Sequence, residues 1–123
     1  VSNDLRDILA AAAEGNARAR LALDVLVDST RHWIGAFFLA LNGADALVFT
    51  AGIGENNPGL RAALCADLDQ LGLVVDPAKN AALRGEGELT AAGSRVRIFV
   101  IPANEELVVA RETHRQLTAT PAR

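Results

Sequence analysis

The run from Asp45 to Arg61 limits the possible folds of this 123-residue chain more than any other stretch. An apolar segment there breaks at two glycines and passes into a proline-led helical pattern. Ala46 to Thr50 is too short for a helix, carries Val48 and Phe49 at its centre and shows no polar alternation. A strand covered on both faces, as in a parallel sheet, reads this way. Gly52 and Gly54 remove side chains where the chain leaves the sheet, which permits unusual backbone angles and close approach by a ligand. Asn57 and Pro58 suit an N-cap and a first helical position. The expected product is a loop at the carboxyl end of a strand with a helix start behind it. Open α/β sheets hold nucleotides and phosphates at such places.

The glycine pattern is not the dinucleotide fingerprint, because Asn57 stands where a third glycine would be. Nor is it a P-loop, since no Lys-Ser/Thr pair follows. The Glu55-Asn56 pair straight after the glycines adds polar groups at the tip. Asn56 and Asn57 either cap the next helix or offer a polar edge to a nucleoside, and both readings stand.

Half of the residues are hydrophobic, enough for a core in one domain or in a piece of a larger one. The formal charge is −3, and every basic residue except Lys79 is a scattered arginine. No nucleic-acid or membrane partner is expected from that distribution. Cys65 is alone, which excludes an internal disulfide and fits a reducing, cytoplasmic setting. Beside Leu64 in a helical pattern, it reads as a small apolar filler and not a nucleophile. No signal peptide is expected, because Val1 to Asp7 is polar and charged. The apolar run Trp33 to Leu41 falls short of the roughly 20 residues a spanning helix needs. The sequence contains no methionine, so it is expected to be a piece of something longer or to open on a valine-type start codon.

Along the chain, Val1 to Asp7 leads into a first helix capped by Ser2 or Asn3, with Asp4 and Asp7 at its positive end. For Asp4 and Arg6 the plain reading is helix-start polarity. Gly15-Asn16 ends that helix, and Ala17 to Leu41 forms a long one closed by Asn42-Gly43. The second half of the long helix, from Trp33, is apolar nearly all round, as in a helix buried in a core or against a partner subunit. His32 and His114 read as polar or solvated residues, since neither has a second ligand nearby in sequence. Pro58 to Leu71 has helical periodicity and stops at Gly72. Leu73 to Asp76 reads as a short strand broken by Pro77, and Ala78 to Gly93 as surface turns. Arg95 to Ile101 is the second strand, closed by Pro102. Asn104 caps a final helix from Glu105 to about Leu117, and the segment from Thr118 to Arg123 is expected to be unordered.

Two strands thus end in polar turns that lead to helices. If they lie parallel in one sheet, both turns open at the same edge. Glu105 and Glu106 there either favour a first helical turn or offer a hard carboxylate to Mg²⁺ beside a nucleotide phosphate. One carboxylate does not decide between these readings.

Three separated pieces, Ser2 to Asp7, Phe49 to Asn56 and Pro102 to Leu107, occur in an order that resembles the carboxyl-terminal portion of the acetate/propionate/butyrate kinase family. Weaker matches are Gly15 to Arg18, Trp33 to Ala36, Leu71-Gly72 and Lys79-Asn80. The similarity covers nearly the whole chain. It implies an α/β fold, part of the duplicated ribonuclease-H-like fold of the sugar kinase and actin superfamily, with long helices packed on a small sheet. Residues 1–123 would form the carboxyl-terminal part of the nucleotide-binding domain. The implied reaction is phosphoryl transfer between ATP and acetate, giving acetyl phosphate and ADP, with Mg²⁺. By the same resemblance, Asp4, Leu5 and Arg6 would contact the adenosine. Gly52, Ile53, Gly54, Glu55 and Asn56 would form the rest of the ATP pocket, and Glu105 matches a magnesium-site glutamate.

Members of that family are homodimers joined largely through this part, which would suit Trp33 to Leu41. In them the amino-terminal domain, the phosphate-binding loops, the transition-state-stabilising His and Arg and the catalytic Asp all precede the stretch matched here. None has a counterpart in this sequence, so no catalytic residue is assigned and the 123 residues alone are expected to be inactive. An exposed sheet edge or apolar face, and self-association through it, are expected for the same reason. Acetate, propionate and butyrate all remain open as acyl substrates. A non-catalytic nucleotide-binding or oligomerisation module is the rival reading.

Overall fold

The computed structural model describes residues 2–118. Asn16 decides where the long helix begins. Its side-chain oxygen accepts from the backbone N–H groups of Arg18 (3.0 Å) and Ala19 (3.1 Å), while Gly15 at φ 88° turns the chain. The result is a helical hairpin of α1 (Leu5–Ala13) and α2 (Ala17–Ala40), with Ala12 and Ala19 buried within it. Their small side chains let the two backbones approach. At the other end of α2, Asn42 (φ 56°) and Gly43 (φ 108°) reverse the chain, and the Gly43 N–H donates to the Phe38 carbonyl at 2.8 Å.

Two strands form as read, β1 (Ala46–Phe49) and β3 (Arg97–Val100). They pair in parallel with Ala46 opposite Arg97 and Phe49 opposite Val100. A short strand β2 (Gly87–Glu88) adds antiparallel to β3, so the sheet order is β1-β3-β2 and β1 is an edge. Between β1 and β3 lie three short helices, α3 (Ala51–Asn56), α4 (Pro58–Cys65) and α5 (Pro77–Ala82). The last helix, α6 (Glu105–Thr118), follows β3. The core gathers Phe49, Leu64, Leu73, Leu89, Val96, Ile98 and Val100, with Ile34 and Phe38 of α2 packed against it. Helices on a small sheet make this an α/β structure. Cys65 is buried in the core, and desolvation there pushes its thiol up to about 11, which suits an inert filler.

Several local expectations need correction. Asp4, not Ser2 or Asn3, caps α1, its carboxylate accepting from the Arg6 N–H at 2.8 Å. The helix expected through Leu71 stops at Cys65, because Arg31 of α2 donates to the carbonyls of Ala63, Leu64 and Ala66 and so satisfies its end. Asp67 (φ 55°) then turns the chain into a 3₁₀ turn at Asp69–Leu71, and Gly72 (φ 81°) closes it. Leu73 to Asp76 makes only an isolated bridge, Val75 with Thr90. Asp76 caps α5 with its side chain, accepting from Ala78 and Lys79, and Pro77 is the first helical residue. The expected surface turns from Ala78 to Gly93 therefore hold most of a helix and a strand. The apolar half of α2 is not buried all round: Ile34 and Phe38 are partly buried against the core, while Trp33, Phe37, Leu39 and Leu41 are exposed. The expectations for Val1 and for residues 119–123 lie outside the described residues.

Candidate functional site

The α1 start and the glycine segment meet at one concave surface. Asp4 caps α1 and also receives Arg6, whose Nε and Nη2 donate to its two carboxylate oxygens at 3.1 Å and 2.6 Å. That guanidinium, with the Arg6 backbone N–H, lowers the Asp4 carboxyl to about 2, so it is ionised at neutral pH. The pair is largely in water, and its role is to fix two charged groups at the rim of the site.

Opposite lies α3, and here the structure departs from the expected loop. Gly52 and Gly54 sit inside a helical turn with ordinary backbone angles, while the positive φ (59°) falls on Ala51. The glycines serve space, not unusual angles. A Cβ on Gly54 would lie 3.4 Å from the backbone carbon and Cβ of Phe49, so this position packs closely on the end of β1. A Cβ on Gly52 would meet nothing within 4 Å, because that position faces open space. Asn56 donates its side-chain N–H to the Gly52 carbonyl at 3.0 Å, closing the turn on itself. Asn57 does what its sequence position indicates: its Oδ1 accepts from the Leu60 N–H at 2.9 Å and caps α4.

A cavity of about 980 Å³ lies between these elements. Asp4, Leu5 and Arg6 line one side, and Gly52, Ile53 and Asn56 line the other. Six of the nine residues singled out in the sequence are thereby brought together. Gly54 and Glu55 lie on the same helix but not on the cavity wall. Glu55 instead accepts the Ala103 N–H at 2.9 Å, which ties the glycine segment to the turn after β3. Both strand-end turns therefore do meet at one edge of the sheet. Glu105, two residues past Ala103, is exposed at the start of α6 and is not part of the cavity lining. Among the described residues no three His, Cys, Asp or Glu side chains converge on a metal-sized site. A lone carboxylate such as that of Glu105 would suit only an ion carried on phosphates and completed by water, not an all-protein cage.

Sequence reasoning passed over Arg61. It is 1% exposed, and its guanidinium reaches four acceptors: the carbonyls of Gly54 (2.8 Å) and Glu55 (2.7 Å), and the side-chain (2.8 Å) and backbone (3.2 Å) oxygens of Asn80. Burial works against its charged form. An arginine at the fourth position of a helix ordinarily points to solvent, so the sequence carries no signal of this role. The one hint is Pro58, four residues after Gly54, which has no N–H to offer that carbonyl.

The fold and this surface define a class: an α/β protein with a concave cleft between the start of α1 and the helix that follows β1. The sequence model of the Acetokinase family matches residues 1–111, and the chain belongs to that family. Acetate kinase of Moorella thermoacetica is 58% identical over 113 residues, which is 92% of this chain and 28% of that protein. The crystal structure of Porphyromonas gingivalis acetate kinase superposes with a TM-score of 0.84 at 38% identity, covering 96% of this chain and 30% of its own. A propionate kinase from Francisella tularensis superposes at 0.78 with 35% identity, over 89% of this chain and 28% of its own. The chain thus spans less than a third of the length of each of these relatives.

Proposed function

We propose that this chain supplies the adenosine-binding wall of an ATP-dependent acyl kinase, one that moves a phosphoryl group between ATP and acetate to give acetyl phosphate and ADP. The observation that carries the reading is the cavity shared by Asp4, Leu5 and Arg6 with Gly52, Ile53 and Asn56. The base and ribose would lie against Leu5 and Ile53, with Arg6 and Asn56 as polar contacts. Gly54 and Glu55 act behind the wall, by holding α3 against β1 and against the turn at Ala103. Glu105 would hold Mg²⁺ together with the nucleotide phosphates, and the ion would neutralise charge at the transferred group. The exposed apolar side of α2 would join two copies, and the setting would be the cytoplasm. Propionate and butyrate remain acceptable acyl substrates, because no residue here is assigned to the acyl group.

On the same reading these 123 residues bind nucleotide without transferring phosphoryl groups. The reaction depends on positioned charge around the reacting phosphoryl, and loss of one such donor costs about 10²–10³ in rate. Calorimetry with ADP and Mg²⁺, beside a phosphoryl-transfer assay against a full-length acetate kinase, separates the alternatives. Binding without turnover is the expected result. Robust turnover would refute the assignment of an incomplete site, and absence of binding would leave an oligomerisation module.

A further inference from the structure

Within α3 the Asn56 side chain closes one turn on the Gly52 carbonyl, but the carbonyls of Gly54 and Glu55 at its far end are held from outside the helix. Six residues are too few to sustain a helix in water. Thr50 at its start makes no capping hydrogen bond through its side chain. At the other end, extending the helix would leave the Gly54 carbonyl without a donor, since Pro58 lacks an N–H. We infer that Arg61, itself fixed by Asn80, is a positioning residue that clamps the carbonyl end of α3 and thereby sets the cavity wall formed by Gly52, Ile53 and Asn56. The inference rests on the proposed nucleotide site for its functional consequence, though not for its structural part.

The geometry is specific to a guanidinium. Nη1 donates to both Gly54 and Glu55, while Nε and Nη2 donate to Asn80, so the planar fork spans two helices at once. Asn80 is buried too, and its Nδ2 donates to the Pro58 carbonyl at 2.8 Å, closing a ring of contacts from α3 through α4 to α5. Among the described residues no carboxylate pairs with Arg61. Its charge is met by carbonyl dipoles instead, including those at the negative end of α3. A residue needed only to fill that volume would be cheaper as an apolar side chain. The arginine is accounted for by the carbonyls it holds.

The test is amide hydrogen exchange on the whole chain, wild type against Arg61→Ala, Arg61→Lys and Asn80→Ala, with ADP affinity measured in parallel. Expected is a rise of about tenfold or more in exchange across residues 51–57, the size of one lost charged hydrogen bond, while Ile98 and Val100 in β3 keep their protection. Millimolar guanidinium should restore protection and affinity in Arg61→Ala, and methylammonium should not. Should Arg61→Ala fail to fold, Arg61→Lys and Asn80→Ala give the same comparison. Unchanged exchange at 51–57, or an equal rise at 51–57 and in β3, would overturn the inference, as would undiminished ADP affinity in a variant whose α3 has loosened. If the wild-type chain binds no ADP, the nucleotide reading fails on its own, and the exchange pattern still decides whether Arg61 sets α3.

Discussion

Gly52 and Gly54 are two residues apart and are glycine for different reasons. At Gly54 a Cβ would rest against the end of β1, in contact with Phe49, whereas at Gly52 there is open space and an ordinary helical backbone. Alanine at position 52 should therefore raise stability slightly, by about 0.5–1 kcal/mol from the helical preference, while weakening ADP binding by filling the cavity wall. Thermal unfolding and calorimetry on the one variant check both halves, and unchanged affinity would remove the cavity from the nucleotide site. Asp4 gives a pH prediction. Its carboxyl is depressed to about 2 by Arg6, so the pair's contribution is present above the usual carboxylate range and is lost as pH falls toward 2. Carboxyl titration by NMR should find this low value, and Arg6→Ala should raise it only part of the way, because the backbone N–H at position 6 still donates to the carboxylate. Glu88, held to about 2 by Arg97 and Thr90 across β2 and β3, titrates in the same window.

Among the elements, α6 stands apart. Asn104 offers its backbone carbonyl to the Val108 N–H (3.3 Å) at the helix start, and none of the 14 residues of α6 is buried. A helix of that length has little stability without packing. Val109→Ser and Leu117→Ser should each move the melting temperature of this chain very little, within the roughly 0.5 kcal/mol typical of surface changes. A large drop would mean that α6 packs on something in solution. The contrast with α3 and α5 explains much of what the sequence concealed. Both are six residues long, too short for a periodic signal. At α5 the Asp76-Pro77 pair was read as the end of a strand, and the helix start it makes went unread. The cap at Asn57 was legible because it precedes Pro58 and a clear apolar period, whereas Asn16, read as the end of the first helix, also caps the second. The break after Cys65 was not, because its cause is Arg31, more than thirty residues earlier in the chain.

At the scale of the molecule, the apolar half of α2 poses the main question of association. Trp33 and Phe37 are about 60% exposed and Leu39 is 85% exposed on a helix whose other side enters the core. An apolar side of this kind on a folded chain favours association. Sedimentation equilibrium should find self-association that Phe37→Glu disperses, and a monomer at high concentration would count against it. No described helix is long and apolar enough to cross a membrane. The two strands, the long helix, its close at Asn42-Gly43 and the cap at Asn57 were written locally, in residue type and spacing, since caps and periodicity act over a few neighbours. What joined Asp4, Leu5 and Arg6 to Gly52, Ile53 and Asn56, placed Glu55 on Ala103 and buried Arg61 under α3 was tertiary structure alone. Those contacts depend on which elements meet, and hydrogen bonds across some 20 to 50 residues leave no mark in local spacing.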